Sequence, residues 1–191
     1  MLHPIFILAA FFLAGDAVGG IEQGSLASKG TGLIKWYWRN GTFSFSTQQR
    51  LPDQTRAFFL GRGLPKEAVE SLATSCIFQA EIRNLSASGG QPVTIELDSW
   101  RISHKDESAP PVLASEWKQR FQRLGLRQDA SIALRWSLFP EEQTFEPGDY
   151  NWGMISYGPK PNERFDLTFV WYEGSEKHQA TLTRLVCAED K

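Results

Sequence analysis

The sequence predicts a mainly β domain, an antiparallel two-sheet sandwich with two or three short connecting helices. Three observations carry this. Short runs of alternating apolar and polar residues recur along the chain, separated by turn residues. Aromatic residues are abundant, with 13 Phe, 7 Trp and 4 Tyr among 191 residues, and such side chains suit pleated, half-buried surfaces. Helical periodicity is confined to the connections between the alternating runs, which implies sheet packed on sheet.

The chain opens on Met1–Gly20, MLHPIFILAAFFLAGDAVGG. A short start, an unbroken apolar run from Ile5 to Ala14 and small residues after it form the layout of a secretory signal. Gly15-Asp16-Ala17 or Ala17-Val18-Gly19 supplies the cleavage triplet. The run is short for a membrane span, which takes about 20 apolar residues; an uncleaved anchor is the alternative. Export with cleavage leaves about 172 residues, the size of one domain, with no stable membrane span. Residues 21–32, IEQGSLASKGTG, read as a flexible segment, and 33–191 as a single β-sandwich domain.

Within that body, Leu33–Arg39 alternates with Ile34, Trp36 and Trp38 on one face, and Thr42–Thr47 alternates with Phe43 and Phe45. Asn40-Gly41 between them predicts a hairpin with positive φ at both residues. Gln54–Arg62 reads as a helix stopped by Gly61 and Gly63, and Lys66–Thr74 as a second with Pro65 at its start. Cys76–Arg83 is the clearest half-buried strand, placing Cys76, Phe78, Ala80 and Ile82 inward. Asn84–Pro92 reads as a hairpin-type loop leading to Val93, Ile95 and Leu97, a strand running on toward Ile102. His104–Pro111 is a loop. Ser115–Leu124 has Trp117, Phe121 and Leu124 on one helical face and ends at Gly125. Ala130–Leu138, ASIALRWSL, reads as a strand with Ile132, Leu134, Trp136 and Leu138 aligned. Phe139–Pro161 is irregular, with a short strand over 151–157, and Phe165–Tyr172 pairs with His178–Cys187.

Cys76 and Cys187 are the two cysteines of the chain. In an exported protein such a pair reads as a disulfide, with two separate buried thiols as the alternative. A cysteine in each of two strands with a tryptophan nearby resembles the immunoglobulin-like plan in architecture alone.

Function is less legible. Net charge is −2, which gives no electrostatic reason to bind nucleic acid or an anionic membrane. His104 and His178 have no Cys or Met partner in sequence, so no metal site is predicted, and no cofactor. Glu141, Glu142, Glu146 and Asp149 lack the spacing of a calcium loop and read as a solvated acidic loop. No G-x-S-x-G elbow or Cys-His context marks a nucleophile. Phe58–Gly63 lacks the lysine of a phosphate loop and reads as a helix end. Asn40-Gly41-Thr42 and Asn84-Leu85-Ser86 match the glycan acceptor pattern.

The stretch Phe145–Pro161 concentrates aromatics among glycines and prolines. It serves either as a lid on the core or as a contact surface; in the second case Tyr150, Trp152 and Tyr157 are the contact residues, with Arg56 and Arg62 as further candidates. These readings converge on an exported module, periplasmic or secreted, that is non-catalytic and recognises another exported protein or a surface ligand. The alternative is an exported carbohydrate-active hydrolase using a carboxylate pair and an aromatic platform.

Overall fold

In the computed structural model residues 20–190 are described; the leader reading of residues 1–20 lies outside them except for Gly20. Among the described residues the chain is mainly β, with two antiparallel sheets and four helices. The first sheet has the order β1 (Glu22–Ala27), β2 (Ile34–Arg39), β3 (Phe43–Gln49), β4 (Ile77–Asn84) and β9 (Tyr150–Ser156). In the second, β10 (Arg164–Glu173) is central. On one edge it pairs with β5 (Val93–Glu96) and β6 (Arg101–His104), and on the other with β11 (Glu176–Val186). β8 (Glu142–Phe145) extends β5, and β7 (Glu107–Ala109) extends β6. A 3-10 turn over Leu97–Ser99 separates β5 from β6, so the long strand expected from Val93 to Ile102 is broken once and still follows β10.

The alternating runs face each other between the sheets. Trp36, Trp38, Phe43, Phe45 and Phe78 from the first sheet meet Trp100, Phe165, Phe169 and Trp171 from the second. Phe43 stacks on Trp171 with ring centres 4.6 Å apart and planes within 8°, and Phe169 packs edge-on to Trp38 at 5.8 Å. Aromatic pairs of this kind add to the value of burial alone. Cys76, at the entry to β4, is bridged to Cys187, just beyond β11, so the disulfide ties the first sheet to the second. Near it, Gln49 accepts the Ile34 N–H and donates to the Val186 carbonyl, each at 2.7 Å. A buried amide spanning the sheets in this way is satisfied at both ends.

A second apolar layer covers part of the first sheet's outer face. Ile77 and Met154 point outward there, beneath α1 (Pro52–Leu60), α2 (Lys66–Ala73), α3 (Ala114–Phe121) and α4 (Gln128–Ser137). Phe59, Leu72, Trp117, Phe121, Ala130 and Leu134 fill the space.

Several expectations change. Ala130–Leu138 is α4 and not a strand: Ala130 and Leu134, one helical turn apart, are buried, while Ile132 and Trp136 face solvent. The sequence fits both periods, and the layer beneath selects the 3.6-residue one. The helices among the described residues therefore number four, against two or three expected. β1 occupies half of the segment read as flexible. Its side chains are mainly exposed, so its hold is backbone pairing with β2, which leaves no apolar pattern to read. The β2–β3 hairpin forms, but neither Asn40 nor Gly41 takes positive φ. Instead the Asn40 side-chain oxygen accepts the N–H groups of Thr42 and Phe43, at 2.9 and 2.6 Å, the local capping that makes Asn a turn former. Asn84–Pro92 joins the two sheets and is not a hairpin. Asn84 itself is buried and donates to the Gln91 and Phe145 carbonyls, so it is no glycan acceptor in the folded chain.

Candidate functional site

The helices leave the other end of the first sheet's outer face open. Strand pairing aligns the outward residues in rows: Glu22, Arg39, Ser44, Arg83 and Tyr150 form one, and Gly24, Tyr37, Ser46, Glu81 and Trp152 the next. Five strands give a face about 19 Å wide at the usual strand spacing. At its β1 edge an ideal Cβ on Gly24 would lie 2.9 Å from the Tyr37 hydroxyl. The missing side chain therefore lets the Tyr37 ring lie down across the strand.

At the β9 edge the aromatics are exposed. Tyr150 is 57% exposed and Trp152 65%. Trp136, on the solvent side of α4, is 76% exposed. Trp136 and Trp152 line one groove of about 360 Å³ together with Arg135, Pro140, Glu141 and Asn151. Glu141 also borders a larger groove of about 850 Å³ between α3 and α4, whose apolar wall includes Phe121, Leu126 and Ile132. Around the rings the charges are organised. Arg83 donates to Glu81 at 2.6 Å, which raises its pKa, and its guanidinium lies 4.7 Å from the Tyr150 ring centre. Arg135 lies 5.5 Å from the Trp136 ring centre. Cation–π contacts of this kind orient exposed rings.

The five contact residues expected from the sequence therefore separate. Tyr150 and Trp152 share the open face. Tyr157 does not: it is 2% exposed, its hydroxyl pairs with Thr47 at 3.0 Å, and burial raises its pKa. Arg56 binds Glu70, Asp53 and Asp190, at 2.9, 2.8 and 2.7 Å. These hydrogen bonds, that to Glu70 foremost, raise its pKa, and they tie α1 to α2 and to the C-terminal segment. Arg62 lies over the Phe58 ring, 3.3 Å from its centre. The stretch 145–161 is neither a lid nor a loop throughout, because β9 runs through it and sends alternate residues to opposite faces.

Trp136 lines the same groove as Trp152, and the sequence reading missed it, having aligned it inward on a strand. The signal was the spacing of Ala130, Leu134 and Leu138, which as a helix puts Trp136 off the buried face. The acidic stretch is split: Glu141 accepts the Ser115 N–H, while Asp149 accepts that of Glu146 at 3.1 Å. Among the described residues no three His, Cys, Asp or Glu side chains gather as a metal site would require. His104 pairs with Glu163 at 3.3 Å, and His178 stacks on Trp171 at 5.3 Å. No protein-family model matches this chain, nor does any curated protein or solved structure.

Proposed function

We propose that the chain is an exported, non-catalytic binding module that holds another exported protein or a surface ligand against the Tyr150, Trp152 and Trp136 surface. The observation that carries this reading is two tryptophans, 76% and 65% exposed, on the walls of one groove. Apolar patches rimmed by polar residues mark contact surfaces, and tryptophan and tyrosine are enriched among the residues that anchor them. The two sheets are read as the layers of a sandwich. Likeness to the immunoglobulin plan rests on the disulfide between layers, since the consecutive order β1-β2-β3-β4 is a meander. Export is supported by the apolar run Ile5–Ala14 and by a disulfide, which persists in oxidising compartments. No helix among the described residues is long and apolar enough to cross a membrane.

The hydrolase reading requires two carboxyl groups facing each other across a cleft, about 5 to 10 Å apart. Glu141 is the one acidic residue lining the groove beside the tryptophans, which favours binding without chemistry. A photo-crosslinker at position 136, in the full chain and its native compartment, tests the proposal. It should trap a discrete adduct that Trp152→Ala removes, while the same probe at Ser108 on the second sheet traps none. Equal adducts from both positions would overturn the reading.

A further inference from the structure

At the helix-side border of the same outer face, buried donors lack acceptors. Arg50 continues the outward register of Ser44, Ser46 and Gln48 beyond β3, and its backbone N–H reaches the Ile77 carbonyl at 3.3 Å. This places it diagonal to Gln79 of β4, which pairs with Gln48. Arg50 Nε and Gln79 Nε2 are both buried with no hydrogen-bond partner. Such groups are rare in folded proteins, because each forfeits its bond to water and gains nothing in return.

The positive charge nearby is equally unanswered. Phe58 of α1 has the Arg62 guanidinium 3.3 Å and the Arg50 guanidinium 5.4 Å from its ring centre. Arg62 donates to the Phe58 carbonyl at 3.0 Å. Among the described residues neither arginine, nor Lys35 opposite Gln48, pairs with a carboxylate. Arg56, also on α1, has three. Burial, and after it the Arg62 charge, pulls the Arg50 pKa below the usual guanidinium range. Two like charges beside one ring, and two orphaned donors at neighbouring outward positions of adjacent strands, have a common remedy, an acceptor that is also negative.

We infer that Arg50, Arg62 and Gln79 form a binding site for an oxyanion group, a carboxylate, sulfate or phosphate, whose oxygens accept from Arg50 Nε and Gln79 Nε2. Arg62 is exposed on the turn after α1, so it can swing from Phe58 and close over the bound group. Charge-assisted hydrogen bonds supply the affinity, and the planar guanidinium fork suits two oxygens at once. The site does not depend on export or on the aromatic surface.

Titration of the purified chain with sodium sulfate, phosphate and acetate, at ionic strength held constant with chloride, tests it. The readout is the side-chain nitrogen-15 signals of Gln79 and of the arginine Nε–H groups. At least one probe should shift the Gln79 and Arg50 signals saturably; tetrahedral ions acting alone point to sulfate or phosphate, acetate to a carboxylate. Arg62→Gln should weaken that affinity about tenfold, the scale of one charge-assisted bond, and Lys177→Gln on the second sheet should not change it. Gln79→Leu removes an orphaned donor, so it should abolish the response while leaving the unliganded fold at least as stable. Shifts that fail to saturate with all three probes, or an Arg62→Gln chain of unchanged affinity, would overturn the inference.

Discussion

The two faces of the first sheet are made by the same five strands and share neither composition nor purpose. Its inner residues, Trp36, Trp38, Phe43, Phe45, Phe78, Ala80 and Ile82, are buried against the second sheet. Its outer residues alternate with them in sequence and carry Tyr37, Arg39, Ser44, Ser46, Glu81, Arg83, Tyr150 and Trp152. A strand's two-residue period lets each segment serve both faces at once. The inner face is closed by rings and by the Cys76–Cys187 bridge, so a change there is a change in stability. The outer face is only half covered by helices, and its open half is free to be shaped by a ligand. On the proposed function, stability and recognition are thus kept on opposite sides of one layer.

That division gives the largest expected effect to the bridge. Cys187→Ser opens a loop spanning 111 positions, for which chain-entropy reasoning gives a loss of about 4 to 5 kcal/mol. Denaturant titration of the variant, beside the wild-type chain with and without reductant, checks it. A loss below about 1 kcal/mol would mean that the rings hold the sheets together unaided. Next comes Phe169→Ala. Phe169 is fully buried and packs against Trp38, Phe43, Phe45, Trp100 and Trp171. The substitution should cost about 3 to 5 kcal/mol, lowering the melting temperature by roughly 10 °C in a chain of this size.

How much of this could be read in advance follows the same division. The inner face was legible because burial imprints a period: Cys76–Arg83 and Leu33–Arg39 alternate, and both are strands where expected. The disulfide was legible from the even number of cysteines and from the leader-like apolar run at the start of the chain. α1, α2 and α3 announced themselves by Pro65, Gly61 and Gly125. Elements on the outer side were harder. β1 is held by backbone pairing, which leaves no mark on side chains, and α4 follows a sequence that satisfies both periods. Of the site, Tyr150 and Trp152 stood out by aromatic density. Tyr157 shared that density, yet it lies beyond the end of β9 with its hydroxyl on Thr47, a placement set by tertiary contact. The Arg50–Gln79 pair had no local signature, because its meeting depends on the β3–β4 register.

An intermediate effect is expected where the edge of the sheet meets the chain that crosses it. Gly153 of β9 has no room for a side chain: a Cβ there would lie 2.8 Å from Phe139 Cα and 2.9 Å from its backbone nitrogen. The Phe139 N–H bonds the neighbouring Met154 carbonyl at 2.8 Å, so the crossing segment cannot retreat freely. Gly153→Ala should cost about 1 to 3 kcal/mol, the range for forced backbone shifts. Because the same segment leads from Trp136 to Glu141, the variant should also perturb the Trp136 fluorescence. Unchanged stability would show that the crossing segment moves easily, and that the groove beside it is less rigid than the inner core.

The smallest stability effect should come with the largest functional one. Trp152 is 65% exposed and its outward neighbours are Glu81 and, along the strand, Tyr150, so removing its ring uncovers little that is not already wet. Trp152→Ala should therefore change unfolding free energy by less than about 0.5 kcal/mol, as surface substitutions usually do. Truncating an aromatic anchor at a contact surface, by contrast, costs binding about 2 kcal/mol or more, some thirtyfold in affinity. Equilibrium denaturation read beside quantified crosslinking from position 136 separates the two. If Trp152→Ala costs as much stability as Phe169→Ala, the ring is structural and the outer face is an extension of the core. If stability is kept and the adduct is lost, the two faces of the sheet are divided as their exposure implies.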